Sequence, residues 1–194
     1  MSDFKDSGFS AKMLAEAGIC IALAKVLSFF TIFQLQNGGS VTAASMAPLF
    51  LFAIRWGWKK GILIGMVYGL VDLMIGGYVV NPIQVLLDYP LAYGMLGFAG
   101  LATRKDKPIS FRESLIPVVA ATLLRLLMHT ISGIVFYSSE IYAKGGSFKD
   151  ALVFSVSYNA SFLLIDAGIC LVLLAIIWKP LGKLFRDQRM SESY

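Results

Sequence analysis

The sequence predicts an all-α integral membrane protein, built as a bundle of six transmembrane helices. Of its 194 residues, 57% are hydrophobic and only 15% are charged, whereas ordinary soluble domains are about 45–50% apolar and about 25% charged. The 18 glycines agree with this class, because transmembrane helices contain glycine more often than soluble helices do. Backbone groups in hydrocarbon must be hydrogen-bonded, and no segment alternates as membrane β-barrel strands do, so helices are expected.

Six apolar segments have lengths that suit, or nearly suit, a membrane crossing. A hydrocarbon layer of ~30 Å takes about 20 residues at a rise of ~1.5 Å each. The chain length fits a single membrane domain, residues 1–194. The predicted spans are 12–34, 40–56, 60–77, 82–102, 113–137 and 151–178.

The distribution of lysine and arginine predicts that both chain termini are cytoplasmic. With six spans and a cytoplasmic N-terminus, the outside loops contain only Lys144 and Lys149, and the first two outside loops contain no charge. Cations concentrate in the cytoplasmic loops of membrane proteins. The formal net charge of +5 is therefore explained by membrane orientation and gives no reason to expect nucleic acid as a partner.

The first, third and sixth spans contain ionisable side chains that should face the bundle interior. A charge at the bilayer centre costs at least ~2.5–3.5 kcal/mol, so a partner or water is expected beside it. We interpret Lys25 and Glu16 as structural, because long side chains near helix ends can reach the interface. Asp72 and Asp166 have no partner nearby in the sequence, and a structural role is one interpretation of each.

The fourth span, NPIQVLLDYPLAY and the residues after it, combines a helix start with a carboxylate. Its Asn-Pro pair marks the start, since proline suits the first helical turn. Gln84 and Asp88 are four residues apart and share a helix face. Pro90 denies the helix one backbone hydrogen bond and should kink it beside Asp88 and Tyr89.

The fifth span contains a polar stripe. Arg125, His129, Gly133 and Tyr137 follow one another at intervals of four residues, which places them along one helix face. Gly133 would leave a gap in which a flat group can approach the backbone. Structural pairing inside the bundle is one interpretation of this stripe; because the four residues share a face, we favour a ligand pocket.

The sixth span adds Tyr158 and Asn159 at moderate depth, where an amide must be hydrogen-bonded. Across the last three spans, the polar inventory is one carboxylate, one imidazole, one amide and several aromatic rings. Such groups suit a flat, nitrogen-rich, cationic ligand that is held by stacking, cation–π contact and a counter-charge.

Other functional classes have less support from the residues. The chain has no P-loop, so it is not expected to hydrolyse ATP by that route. A single histidine with scattered carboxylates makes a poor metal site, and Cys20 and Cys170 read as packing residues. We predict no metal, no cofactor and no catalytic residue. A small intramembrane enzyme acting on lipid, with His129 and Asp88 as an acid–base pair, stays open as an alternative.

Four blocks of the sequence resemble one family of membrane proteins, the thiamine-specific S-components of energy-coupling factor (ECF) vitamin transporters. The blocks are QNGGSVTAASMAPLFLFAIRWGWKKG, PIQVLLDYPLAYGMLGFAG, LLRLLMHTISGIVFY and SYNASF. They run from the first span to the sixth in the order and spacing of that family. The resemblance implies a six-helix thiamine-binding subunit of the cytoplasmic membrane that has no enzymatic activity of its own.

The resemblance also implies roles for residues of the fourth and fifth helices. The family's acidic residue facing the positive charge and amino group of the ligand corresponds to Asp88, beside Tyr89. The family's histidine and the basic residue one turn before it correspond to His129 and Arg125. The aromatic residue that stacks on the ligand, two turns after the histidine, corresponds to Tyr137. From the residues alone, Arg125 could instead balance a carboxylate.

In the sixth helix, the asparagine that hydrogen-bonds the aminopyrimidine corresponds to Asn159. The loop QLQNGGS corresponds to a lid over the bound vitamin. Three positions depart from the family: Asp88 is one methylene shorter than the glutamate of some members, Phe154 replaces a common tyrosine near the ligand, and Pro90 is unexpected. Phe154 keeps open an S-component for another vitamin or a thiamine precursor.

Implied partners are a transmembrane coupling protein and two cytoplasmic ATPase subunits, which supply the energy. Gly18 and Ala22 form a small-xxx-small pair on the first helix, and such pairs let another helix approach closely. The family docks on its coupling protein with a similar motif. Taken alone, the pair would also fit packing inside the bundle.

Overall fold

The structure is a computed structural model that describes residues 9–35, 38–103 and 109–191, with side chains described as far as residue 181. Six helices and a two-stranded antiparallel sheet are present in these ranges. The elements are α1 Ala11–Phe29, β1 Thr31–Gln34, β2 Ser40–Thr42, α2 Ala47–Trp56, α3 Trp58–Met74, α4 Pro82–Ala102, α5 Phe111–Ala143 and α6 Phe148–Ser191.

The predicted class, an all-α membrane protein with six helices, is confirmed. Three of the helices have the length and apolar composition for a membrane crossing: Pro82–Ala102, Phe111–Ala143 and the Phe148–Leu181 part of α6. The helix Ala47–Trp56 is apolar but shorter. The largest buried side chains of the core include Phe50 on α2, Tyr68 on α3, Leu96 on α4 and Leu163 on α6.

The end of the first predicted span and the beginning of the second are wrong, because the chain is not helical there. The helix of the first span stops at Phe29, and residues 31–34 form β1. The second span begins as β2, and its helix starts only at Ala47. β1 pairs with β2 through Thr31–Thr42, Phe33–Val41 and Gln34–Ser40. The run FFTIF is aromatic and β-branched, which suits a strand as well as it suits an apolar helix.

The last two predicted spans are shorter than the helices that contain them. α5 extends six residues beyond the predicted end, to Ala143, and α6 continues past residue 178 to Ser191. A helix can continue into polar residues outside the hydrocarbon, so its apolar segment underestimates its length. α5 begins instead at a capping box, in which Ser110 and Glu113 satisfy each other's backbone N–H groups.

The distortion expected at Pro90 is present as a π-helical turn, Leu87–Leu91, within α4. α4 is α-helical before this turn, α-helical again over Ala92–Met95, and 3₁₀-helical over Leu96–Ala102. Because proline lacks a backbone N–H, a wider turn accommodates it without a broken bond. The irregular turn contains Asp88 and Tyr89, two of the predicted site residues.

Glycines on α3 allow α4 to approach it closely. Gly61, Gly65 and Gly69 are four residues apart, and a Cβ atom at either of the last two would overlap a carbonyl group of α4, that of Tyr93 or Tyr89 respectively. Small residues at such spacing are the usual contact between membrane helices. The glycine stripe therefore determines the distance of the π-helical turn from α3.

We expect Gly65→Ala to lower the melting temperature of the detergent-purified protein. The added methyl would meet the Tyr93 carbonyl, and overpacking of this kind costs about 1–3 kcal/mol, which is roughly 2–12 °C for a chain of this size. Gly18→Ala is the matched control, because a Cβ there meets no described atom within 4 Å. Equal melting temperatures for the two variants would contradict the packing described for α3 and α4.

Candidate functional site: a polar cavity between α4, α5 and α6

A cavity of about 160 Å³ lies between α3, α4, α5 and α6, and residues 38–40 border it. Seven of the eight residues predicted to bind substrate line this cavity, and the aromatic residue Phe154 does not. The fold therefore brings together side chains that are up to 71 residues apart in the sequence. The seven are Asp88, Tyr89, Arg125, His129, Gly133, Tyr137 and Asn159.

Asp88, His129 and Arg125 form a hydrogen-bonded chain along one wall. His129 Nδ1 lies 2.9 Å from Asp88 Oδ1, and Arg125 Nε donates to His129 Nε2 over 3.3 Å. Arginine stays protonated and can only donate. His129 Nε2 must then accept, so Nδ1 carries the proton and donates to Asp88. The chain assigns a neutral imidazole that donates to the Asp88 carboxyl group.

Arg125 is a buried cation with only 7% of its surface exposed. Its guanidinium carbon lies 4.1 Å from the centre of the Tyr93 ring, on α4, at a distance typical of a cation–π contact. Among the described residues it forms no direct ion pair, and it reaches Asp88 through His129. This geometry fits a cation that orients the histidine more closely than one that touches a positively charged ligand.

Asn159 is held by its amide nitrogen. Nδ2 donates to the Ser155 carbonyl over 2.9 Å and to the His129 carbonyl over 3.3 Å, and its contact with Ser155 Oγ is 3.4 Å. In the described part of the chain, no hydrogen bond uses Oδ1. The two backbone carbonyls therefore fix which end of the amide points where, and Oδ1 is left as an acceptor beside the cavity.

Gly133 lines the cavity, but its main consequence is helix packing. A Cβ at Gly133 would overlap Ser155 Oγ and would lie 3.5 Å from Asn159 Nδ2. The gap expected there for a flat ligand is occupied in part by α6. Ser155 Oγ also donates to the Thr130 carbonyl over 2.8 Å. Gly133 thus lets α6 approach α5 closely enough for Asn159 to reach the His129 carbonyl.

Aromatic rings form a further part of the cavity wall. Tyr137 packs edge-on against Phe154 at 5.5 Å between ring centres, and Phe154 stacks on Tyr158 at 6.2 Å. Phe154 is 42% exposed and lies behind the two tyrosines that line the cavity. Phe154 therefore packs against both tyrosine rings and does not border the cavity.

The segment Gly38–Ser40 lies against this aromatic wall. The Gly39 N–H donates to the Tyr158 hydroxyl over 3.1 Å, and a Cβ at Gly39 would lie 2.6 Å from the Phe162 ring. This segment belongs to the loop QLQNGGS, residues 34–40, of which residues 36–37 lie outside the described residues. Glycine at position 39 is therefore required for the backbone to come this close to the rings.

Several residues that line the cavity were not predicted from the sequence. Tyr78, Tyr93 and Phe162 are single aromatic residues in apolar surroundings, and no periodic pattern distinguishes them from core residues. The available signal was weak: Tyr93 lies four residues after Tyr89 on the same helix, and Phe162 follows Tyr158 at the same interval.

Three other ionisable residues of the spans, Lys25, Asp72 and Asp166, have partners inside the bundle. Lys25 Nζ lies 2.7 Å from Asp72 Oδ1, and the Tyr93 hydroxyl donates to Asp72 Oδ2 over 3.0 Å. Asp166 Oδ1 accepts from the N–H and the hydroxyl of Thr42 over 2.8 and 2.9 Å. Lys25 is thus held by Asp72 inside the bundle, whereas the sequence predicted that it would reach the interface, and Asp72 also lines the cavity.

Glu16 pairs with Arg55 at 2.6 Å and accepts a hydrogen bond from Trp56 Nε1 over 2.8 Å.

On the other side of α1, Gly18 and Ala22 are exposed. Leu14 and Val26, one turn before and after them, are also more than half exposed, at 53% and 51%. This face of α1 makes no close contact at Gly18 within the described bundle.

Comparisons with known proteins agree with the resemblance. The family model described as "Thiamine transporter protein (Thia_YuaJ)" matches residues 14–186. A relative from Bacillus subtilis (strain 168), "Thiamine transporter ThiT", is 30% identical over 187 residues, covering 91% of this chain and 95% of the relative. A protein of the same name from Lacticaseibacillus paracasei is 27% identical over 152 residues, 72% of this chain and 74% of that protein.

A solved structure of ThiT from Listeria monocytogenes has the same fold. The TM-score is 0.73 at 23% sequence identity, over 90% of this chain and 97% of that chain. The family model covers most of the chain, and the Bacillus relative is matched over nearly its full length. The chain therefore belongs to the thiamine transporter family and has the six-helix membrane-bundle fold of ThiT.

Proposed function

We propose that this chain binds thiamine with high affinity outside the cell and carries it across the cytoplasmic membrane as the S-component of an ECF-type transporter. The observation that carries the proposal is the carboxylate of Asp88, which faces an aromatic-lined cavity with no cation in direct contact among the described residues. A cationic ligand would neutralise a charge that is otherwise costly to bury.

The cavity supplies one group for each part of thiamine. The Asp88 carboxylate is the counter-charge for the thiazolium ring, and the rings of Tyr137 and Tyr158 provide stacking surface beside it. The free Oδ1 of Asn159 accepts a hydrogen bond from the amino group of the pyrimidine. His129, itself held by Arg125, orients Asp88 before the ligand arrives, which lowers the cost of ordering on binding.

The transporter as a whole requires partners. We propose that Gly18 and Ala22 dock α1 on a transmembrane coupling protein, and that two cytoplasmic ATPase subunits provide the energy. Gly18 and Ala22 are small and exposed, which would let a partner helix approach α1 closely. The excess of lysine and arginine in the loops that connect spans two to three and four to five supports cytoplasmic termini.

A purified-protein titration tests this function. Thiamine should quench intrinsic tryptophan and tyrosine fluorescence at or below micromolar concentration, because Tyr89, Tyr137 and Tyr158 line the cavity. Riboflavin and biotin, neither of which presents an aminopyrimidine with a cationic ring, should not compete. A protein that is folded in detergent and does not bind micromolar thiamine would exclude the proposal.

The alternatives that the sequence left open make different predictions. If the ligand is a thiamine precursor, the isolated aminopyrimidine or thiazole moiety should compete as well as thiamine does. A lipid-directed enzyme would need His129 as a free base, yet its Nε2 accepts from Arg125 and its Nδ1 faces Asp88. If the protein were such an enzyme, Asn159→Ala should leave ligand binding intact, and His129→Ala should abolish turnover.

A further inference from the structure

Gln84 is a buried amide at the beginning of α4 that the proposed function does not yet use. Only 6% of its surface is exposed. It lies in the first turn of α4, where its backbone N–H donates to the side chain of Asn81 over 2.8 Å. One turn later on the same face lies Asp88.

Both ends of the Gln84 amide are hydrogen-bonded. Nε2 donates to Asp88 Oδ2 over 2.8 Å and to the Tyr78 carbonyl over 3.1 Å, and Oε1 accepts from the Val80 N–H over 3.1 Å. These partners require a donor at one end and an acceptor at the other. Among side chains of this length, only an amide provides both.

Asp88 is therefore held from two helices. Gln84 donates to Oδ2 from α4, and His129 donates to Oδ1 from α5. Each carboxylate oxygen has one fixed donor and retains a further lone pair for a ligand. Two donors from separate elements determine the plane of the carboxylate, whereas one would leave it free to rotate.

Gln84 also ties the segment before α4 to the same carboxylate. Tyr78 lines the cavity, and its backbone N–H and carbonyl both contact the Tyr89 hydroxyl. The Tyr78 carbonyl and the Val80 N–H contact the Gln84 amide. The position of this segment is thus linked to Asp88 through a single side chain.

We propose that Gln84 is a positioning residue for Asp88 and a determinant of preference for cationic over neutral ligands. The inference rests on the proposed role of Asp88 as the counter-charge for thiamine. Gln84 acts through the carboxylate and does not itself need to touch the vitamin. Removing its donor should therefore weaken binding only while a carboxylate is present at position 88.

A double-mutant cycle on thiamine affinity tests this inference. Gln84→Met keeps the side-chain length and removes both amide functions; we expect about a tenfold loss of thiamine affinity in the wild-type background and less than about a twofold loss in the Asp88→Asn background, as for residues that act through one another. Equal losses in the two backgrounds would overturn the inference, since a purely structural role is independent of the charge at Asp88.

Gln84→Glu provides a second measurement if the methionine variant folds poorly. With Asp88 present it sets a second carboxylate in the place of the amide that donates to Asp88 and should weaken thiamine binding through repulsion between the two. In both backgrounds it also puts an oxygen against the Tyr78 carbonyl, so some loss is expected with Asp88→Asn as well, but that loss should be smaller because residue 88 is then an uncharged amide. Equal losses in the two backgrounds would contradict the inference.

Asn81→Ala is the matched control for loosening of the first α4 turn. It removes the cap on the Gln84 backbone and leaves the contact with Asp88 in place, so its effect should be the same in both backgrounds.

The proposed thiamine-binding function and the positioning role of Gln84 are rejected by different results. Wild-type protein that does not bind thiamine rejects the proposed function, whereas additive Gln84 and Asp88 effects reject only the positioning role.

Discussion

Asp88→Asn is expected to weaken thiamine binding by about 100-fold or more. The substitution keeps the shape of the side chain and removes the charge that faces the cavity. Truncating one member of a buried charge pair costs about 2–5 kcal/mol, and each ~1.4 kcal/mol is tenfold in affinity. It also places an amide N–H against the donors of Gln84 or His129. Isothermal titration calorimetry on the purified variant would measure the loss.

Glu140→Gln is the control for removal of a carboxylate elsewhere. Glu140 is on α5, its side chain is 61% exposed, and it pairs with Lys144 at 2.7 Å. We expect less than about a twofold change, since exposed ion pairs contribute little. A neutral ligand separates loss of charge from loss of shape at Asp88. The isolated aminopyrimidine moiety has no positive charge, so Asp88→Asn should weaken its binding far less than that of thiamine. If Glu140→Gln and Asp88→Asn lowered thiamine affinity equally, Asp88 would have no specific role in binding.

Asn159→Leu is expected to weaken thiamine binding by roughly 10- to 100-fold and to abolish discrimination at the pyrimidine amino group. Oxythiamine, which has an oxygen in place of that amino group, offers no donor to Asn159 Oδ1. The amide cannot flip to compensate, because Nδ2 is bound to the Ser155 and His129 carbonyls. An unsatisfied polar group costs about 1–3 kcal/mol.

Wild-type protein should therefore bind oxythiamine much more weakly than thiamine, and Asn159→Leu should bring the two affinities close together. Ser155→Ala is the control: it removes the hydroxyl that donates to the Thr130 carbonyl but leaves the Ser155 carbonyl that holds Asn159. That variant should retain the discrimination. An unchanged preference for thiamine in Asn159→Leu would show that the amino group lies elsewhere in the cavity.

The class of the protein and much of its site follow from local rules. Apolar segments of membrane-crossing length predict a helical bundle, and intervals of four residues place Arg125, His129, Gly133 and Tyr137 on one face of a helix. These rules depend only on the geometry of a single helix, so one sequence is sufficient. Local rules also predicted the irregular turn at Pro90, because the missing backbone N–H is a property of proline itself.

Other features depended on contacts between elements distant in the sequence. The β1–β2 pair replaced helix at residues 31–34 because the run FFTIF suits either structure, and only its partner decides between them. Phe154 lies behind the cavity rings, and Gly133 admits α6, because the crossing of α5 and α6 determines which side of each helix is occupied.

From the sequence, a membrane helix bundle is predicted, with a carboxylate, an imidazole, an amide and aromatic rings that suit a cationic ligand. The connections between these groups are seen only in the folded chain: His129 lies between Arg125 and Asp88, Asn159 is held by two carbonyls, and Gln84 anchors Asp88. These connections depend on packing because hydrogen bonds extend over only about 3 Å. Helix periodicity specifies a direction around an axis and leaves the distance to the neighbouring helix to packing.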